Sequence, residues 1–379
     1  MTELSPTQTD TLSRRIADET DTCGAITFER FMELALYDSD FGYYTAGKAR
    51  MGRKGDFYTS PSAHGAFGQT LAGLAGILRK KIGADGMTFV EAGGGGGRLA
   101  VDILSALEET DPASYEAVEY VLVDRSPQEK CEAADRHGNF RRVKSFSEIG
   151  KPVCGIIFSN ELFDALPFHR LVFRNGEIAE IFVSRGGDGF TETEAAPSDG
   201  ELVSYFDRCG GAQNMGFAEG QKFEVSLKAG EMMKQMAQTL ERGLILTIDY
   251  GFQTDELFSP DRRNGTFKCV SGHTINESPY ENIGGQDITA HVDFGNLEKT
   301  GQGSGLATLK YTTQGQFLVD WGIMDTAARS PEQIHAIKTL FMPGTMGDSF
   351  RVLMQTKNAP ELAQGFYPES PFRISFGVD

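Results

Sequence analysis

The sequence predicts an α/β fold, a mostly parallel sheet with helices on both faces, and three observations carry that reading. Short apolar runs alternate with helical patterns along most of the 379 residues, which is the order a parallel sheet requires. Residues 89–107 read as a strand, a glycine turn and a helix in succession. Four strand ends carry an acid or amide (Glu91, Asp124, Asn160 with Glu161, and Asp249). Open α/β sheets bind ligands at that end of their strands.

Taken in order, residues 1–20 are polar and are expected to fray. Phe28, Phe31, Met32, Leu34, Ala35 and Leu36 give a short amphipathic helix, followed by the aromatic loop Gly42-Tyr43-Tyr44. Ser60 before Pro61 makes a good N-cap and first helical position. The helix it opens carries Phe67, Leu71, Leu74, Leu78 and Ile82 on one stripe. Arg79, Lys80 and Lys81 in its last turn complement the helix dipole before Gly83. Phe89 and Val90 end a buried strand, and Leu99, Ile103, Leu104 and Leu107 recur at helical spacing beyond the glycines.

A second strand, Tyr120 to Asp124, leads into Ser126-Pro127-Gln128-Glu129, a capping box that predicts a helix to about His137. A third runs from Val153 to Ser159, and Asn175-Gly176 predicts a β-hairpin. Residues 185–215 read as a surface insertion. Ala229, Met232, Met233, Met236 and Leu240 predict a helix from Ser226 to Arg242, stopped by Gly243, with a strand from Leu244 to Asp249. Its methionine stripe reads as core rather than a metal site. Helices near 312–323 and 331–341 and a strand near 349–355 complete the pattern.

The expected organisation is therefore a flexible N-terminus (1–25), an N-terminal helical cap or lid (26–84), and a core over 85–183 and 217–357. Insertions at 184–216 and 252–310 form a substrate-side subdomain, and 358–379 is a C-terminal tail.

Composition bounds the function. A hydrophobic content of 40% and a charged content of 23% are those of an ordinary globular protein. No apolar run approaches a membrane span. The first 21 residues hold Asp10, Asp18, Glu19 and Asp21 with no apolar stretch, unlike a signal or transit peptide, so a cytoplasmic protein is expected. A net charge of −17 disfavours nucleic acid, whose phosphates it repels, and suits a basic partner. The five cysteines lack any CxxC pair and read as reduced thiols, with no metal site expected.

The glycine turn is the most informative stretch. Gly93, Gly95 and position 98 would form the dinucleotide fingerprint, but Arg98 breaks it, which disfavours a dehydrogenase. No Gly-Lys-Ser/Thr of a P-loop occurs there. Glu91-x-Gly93-x-Gly95-x-Gly97 does fit, the pattern of Rossmann-like S-adenosylmethionine-dependent methyltransferases. Bare backbone at a helix N-terminus suits such a ligand. A carboxylate at Asp124 is placed to accept both ribose hydroxyls, and Asn160 joins the expected cofactor-binding set.

A chain-wide resemblance sharpens this. Gly42-Tyr43-Tyr44, Gly52-Arg53-Lys54-Gly55-Asp56-Phe57-Tyr58-Thr59-Ser60-Pro61, the glycine motif and Asn160-Glu161-Leu162-Phe163-Asp164-Ala165-Leu166-Pro167 occur in that order. Asp249-Tyr250-Gly251, Asp287-Ile288-Thr289-Ala290-His291-Val292-Asp293-Phe294, Thr313-Gln314-Gly315-x-Phe317-Leu318 and Met346-Gly347-x-x-Phe350 follow. Across roughly residues 26–357 the chain resembles the MidA-like methyltransferases, which include the mitochondrial complex I assembly-factor arginine methyltransferases. It departs at Gly94, where the family usually has proline, which would loosen the loop, and at Asp124, where glutamate is commoner.

The resemblance implies S-adenosylmethionine as cofactor and methyl transfer to an accessible arginine of a protein partner, a complex I subunit in the family's case, by a monomer or homodimer. An arginine acceptor is cationic, with a pKa above about 12, so carboxylates must orient it and receive its proton. Glu161 and Asp164 form the expected clamp, completed by Asp249 or by His291 beside Asp293 on one strand face. Asp56 and Thr59 are expected to line the cofactor pocket under a lid. Two other readings stay open: a small-molecule methyltransferase with a closed pocket, and a methyltransferase-like assembly factor that only grips its partner.

Overall fold

The computed structural model describes residues 6–46, 65–126, 131–187, 189–209, 211–272, 274–326 and 330–367. The chain divides into two compact units, one made of residues 1–50, 164–231 and 252–295, the other of 51–163, 232–251 and 296–379.

The second unit holds the expected parallel sheet. Its strands lie in the order Ala307–Thr313, Phe350–Lys357, Leu240–Phe252, Val153–Asn160, Met87–Ala92, Val118–Val123, Phe140–Val143. Pairing is parallel from Leu240–Phe252 through to Phe140–Val143, and antiparallel at the other edge. Met87–Ala92 comes first in the chain among the parallel strands, and its successors fall on opposite sides of it. Strand order therefore reverses there, and the glycine turn leaves the sheet at the switch point where α/β proteins bind ligands. All six residues of Met87–Ala92 are buried, as a strand covered on both faces must be.

Helix Ala66–Ile82 buries Phe67, Leu71, Leu74 and Leu78 in the same core cluster as Phe89, Ile103, Leu107 and Phe158. Each such side chain contributes roughly 1.5–3 kcal/mol by leaving water. The helix ends as its sequence says, on the left-handed Gly83 with three cations in its last turn. It belongs to the core, so the expected cap over 26–84 is not one body. Its Ser60-Pro61 start lies outside the described residues, as does the Pro127–Glu129 part of the capping box, beyond which a helix runs from Glu132 to Arg136.

Gly243 does not stop a helix. The helix ends at Thr239 and the strand already begins at Leu240. Gly243 pairs with Gly155 across parallel strands, and a Cβ on it would collide with the Gly155 carbonyl oxygen. The residue is glycine because two backbones meet there. The expected C-terminal tail also starts inside the core, since Leu362 and Phe366 are buried in the same cluster.

The first unit corrects the expected boundaries most. In place of a flexible N-terminus there is a helix, Pro6–Cys23, with Leu12, Ile16 and Thr20 buried at i, i+4 and i+8 and Arg15 paired to Asp38 and Asp40. Helix Phe28–Tyr37 forms as expected, capped by the Thr27 hydroxyl. The hairpin at Asn175-Gly176 is present, with both residues in the left-handed region that a two-residue turn demands. It lies in this unit, outside the core to which 85–183 was assigned, within an antiparallel sheet ordered Ile26–Thr27, Glu177–Gly186, His169–Arg174, Lys222–Val225. The expected insertion 184–216 supplies a further strand, Gly189–Ala195. Tyr43 is buried, and Tyr44 donates to Asp287 Oδ2 at 2.7 Å while stacking on Tyr37. The Gly42-Tyr43-Tyr44 loop is thus packed within its unit rather than a free lid.

Candidate active site

The glycine turn forms because its sequence permits what other residues resist. Gly93, Gly95 and Gly97 have φ of 77°, 53° and 74°, a region that costs a residue with a Cβ roughly 1–2 kcal/mol. Gly93 N–H donates to Val123 O at 2.9 Å and Gly97 N–H to Gly94 O at 3.0 Å. A Cβ on Gly93 would stand 2.8 Å from Leu162 Cδ1. Helix Arg98–Thr110 follows with no side-chain cap, and Arg98 itself is exposed.

Asp124 stands at the end of the neighbouring strand, as its position predicts. Its Oδ2 accepts from Gly95 N–H at 2.7 Å, and its Oδ1 accepts from Ser126 N–H and the Ser126 hydroxyl. Arg142 reaches the same Oδ1 at 3.3 Å and the Ser126 carbonyl at 2.8 Å. No sequence signal marks Arg142, which comes from the adjacent strand Phe140–Val143.

Glu91 sits inside. Its carboxyl is buried and accepts from Tyr120 Oη at 2.8 Å. Burial pushes its pKa up to about 7, with the Tyr120 bond opposing and the Asp124 charge adding. Gly94 is the companion feature. A Cβ there would stand 2.5 Å from both Glu91 Oε1 and Leu122 Cδ1, so the absent proline makes room for Glu91.

On the other side of the glycine strand, Val153–Asn160 ends in Asn160-Glu161. Glu161 is a non-glycine residue at φ 51°, an uncommon conformation of the kind that gathers at functional sites. Its N–H donates to Ile248 O at 3.0 Å, and its Oε1 accepts from Asn160 Nδ2 at 2.8 Å. Asn160 Oδ1 is buried without a hydrogen bond. Asp249, fully buried, accepts Leu162 N–H at 3.1 Å and Phe163 N–H at 2.9 Å on Oδ2. It holds the turn that follows Glu161.

Asp164 and His291 belong to the first unit. Asp164 is buried, and its carbonyl accepts Ala290 N–H at 3.1 Å. His291 falls between two short strands, Asp287–Thr289 and Val292–Asp293, not beside Asp293 on one strand face. Its N–H donates to Thr266 Oγ1 at 3.0 Å. Asp293 accepts from Tyr205 Oη at 2.9 Å and Thr254 Oγ1 at 2.6 Å. Asp56 and Thr59 lie outside the described residues. Among the described residues, no cluster of His, Cys, Asp and Glu could hold a metal ion, and no helix is long and apolar enough to cross a membrane.

Residues 75–312, the stretch that carries the glycine loop, Asp124, Glu161 and Asp249, match the family of S-adenosyl-L-methionine-dependent methyltransferases. The chain belongs to that family. It is 26% identical to the protein arginine methyltransferase NDUFAF7, mitochondrial, of Danio rerio, with 93% of this chain and 88% of that one covered. The Homo sapiens protein of the same name is 25% identical over 79% of this chain and 70% of its own. A crystal structure from Burkholderia thailandensis with S-adenosyl-homocysteine bound superimposes with a TM-score of 0.83 at 26% identity, covering 95% of this chain and 97% of that one.

The methyltransferase's own residues fit this cofactor. The loop offers backbone with no Cβ in the way, Asp124 ends the strand where a ribose diol needs an acceptor, and the orphaned Asn160 Oδ1 awaits a donor. A carboxylate has about four acceptor positions, and Asp124 fills them with Gly95 N–H, the Ser126 N–H and hydroxyl, and Arg142. A ribose hydroxyl would take the place of one of these, most simply the Ser126 hydroxyl. Bound there, S-adenosylmethionine supplies a methyl group on a sulfonium, ready for in-line displacement.

Proposed function

We propose that this methyltransferase modifies an arginine side chain of a protein partner. Glu161 carries the proposal. A guanidinium nitrogen attacks only when its lone pair points along the line of displacement, so the chain must hold the group in one orientation. Glu161 provides a carboxylate whose backbone is locked in the left-handed region and whose Oε1 is pinned by Asn160 Nδ2. A carboxylate so held can pair with a guanidinium through two parallel hydrogen bonds. It can also receive the proton that the nitrogen loses once the new N–C bond has formed. Asp249 keeps the turn in place by holding two backbone N–H groups. The likeness to protein arginine methyltransferases over nearly the whole chain supports the same acceptor, and the net charge of −17 suits a basic partner.

The test is mass spectrometry of arginine-bearing polypeptides incubated with the purified chain and S-adenosylmethionine, beside the same polypeptides with arginine replaced by lysine. Addition of methyl groups to arginine alone, lost in Glu161→Gln while S-adenosylhomocysteine binding persists, is expected. Methylation of lysine-bearing and arginine-bearing polypeptides alike, or full activity in Glu161→Gln, would overturn the assignment.

A further inference from the structure

Two features pack the cofactor loop against strand Val118–Val123. The Glu91 carboxyl, buried, is held by Tyr120 Oη at 2.8 Å. Gly94 lies directly over it, with its missing Cβ 2.5 Å from Glu91 Oε1 and closer still to Glu91 Cδ. Leu122, whose Cδ1 meets the same missing Cβ at 2.5 Å, is two residues from Tyr120 on strand Val118–Val123. Residues two apart on a strand face one side, so one strand face supports the loop through both side chains. The loop's remaining shape comes from inner bonds as well: Gly93 N–H to Val123 O, Gly95 N–H to Asp124 and Gly97 N–H to Gly94 O.

We propose that Tyr120, acting through Glu91, is a positioning residue for the cofactor loop: it holds the Glu91 carboxyl beneath Gly94, and the loop backbone rests on that carboxyl in the shape that receives S-adenosylmethionine. The proposal rests on the cofactor assignment and deepens it, because neither Tyr120 nor Glu91 touches the cofactor in this account. Position 94 must then be glycine in this chain. Any side chain there drives the carboxyl sideways and off Tyr120, and the far end of a flexible Glu91 can move without unfolding the core.

The experiment is calorimetric titration with S-adenosylhomocysteine of the full chain and of Tyr120→Phe, Gly94→Ala, the Tyr120→Phe/Gly94→Ala double variant and Gly94→Ala/Glu91→Asp. Circular dichroism of each unliganded protein establishes its fold. Tyr120→Phe and Gly94→Ala should each weaken binding by about tenfold. The Tyr120→Phe/Gly94→Ala pair should be no weaker than Gly94→Ala alone, because both break one unit. Glu91→Asp withdraws the carboxyl from Tyr120 as well as from the added Cβ and leaves Leu122 in its way, so the Gly94→Ala/Glu91→Asp variant should bind no better than Gly94→Ala. In turnover, KM for S-adenosylmethionine should rise while KM for the acceptor stays put. Wild-type affinity in Tyr120→Phe, losses that multiply in the double variant, or binding recovered by Glu91→Asp would each overturn the proposal. An unmodified chain that binds nothing would sink the cofactor assignment and the proposal together, an outcome distinct from variants that bind as the unmodified chain does.

Discussion

Replacing Glu91 by glutamine should stabilise the core at neutral and alkaline pH and do little in acid. The buried carboxyl has its pKa raised from 4.5 to about 7, chiefly because burial penalises its charged form. The unfolded chain releases this proton near the ordinary value, whereas the folded chain keeps it to about 7. Between those two points the unfolded state gains with every unit of pH, about 1.4 kcal/mol each. The protonated carboxyl's contribution is complete below the unfolded value and gone above the folded one, a loss of about 3 kcal/mol in all. Glutamine carries no titrating proton and still offers Tyr120 an acceptor oxygen, so the variant escapes the loss. Urea unfolding of both proteins from pH 4.5 to 8, followed by the fluorescence of Trp321, reads the effect directly. Trp321 is the only tryptophan and packs in the same core cluster as Tyr120. The stability difference should move by about 3 kcal/mol toward the variant as pH rises to 7, then level off, with other titrating groups cancelling in the comparison. A difference independent of pH, or a variant less stable at pH 8, would refute the reasoning.

Three further outcomes follow from named contacts. Glu161→Gly should relieve the left-handed backbone at φ 51°, leaving the chain as stable or up to about 1 kcal/mol more so by denaturant unfolding. Methyl transfer should nonetheless drop by about a hundredfold or more in the mass-spectrometric assay, since the carboxylate is gone. Arg142→Ala removes the guanidinium that ties Asp124 to the Ser126 carbonyl, and calorimetry should show cofactor binding weakened by about tenfold, the worth of one charge-assisted bond. Ile16→Ala hollows the fully buried stripe of the N-terminal helix and should cost about 2–5 kcal/mol in the unfolding of the first unit.

What the sequence made legible was local. The glycine strand, the Asn175-Gly176 hairpin, the cationic end of the Ala66–Ile82 helix and the acid at Asp124 each depend on a few adjacent residues, and each is where its chemistry places it. The helix Pro6–Cys23 was missed because Leu12 and Ile16 are two apolar residues in a polar stretch, and their burial comes from residues far along the chain. Gly243 misled for a related reason: a glycine after a helical pattern reads as a stop, yet this one answers to Gly155, 88 positions earlier in the sequence. Within the site, Tyr120 looked like any aromatic residue of a buried strand, and only its approach to Glu91 gives it a role. The division into two units was also hidden, because the sheet that holds the hairpin is completed by Lys222–Val225, well beyond it in sequence.

The most direct test of the central claim, that the glycine turn between Glu91 and Arg98 holds S-adenosylmethionine, is calorimetric titration of the purified chain with that cofactor beside a Gly95→Val variant. Gly95 has φ 53° and gives its N–H to Asp124, so a β-branched residue there must distort the loop. Saturable binding by the unmodified chain, abolished in Gly95→Val with the fold intact, is the expected result. Absence of binding by the unmodified chain, or equal affinity in the variant, would contradict the account.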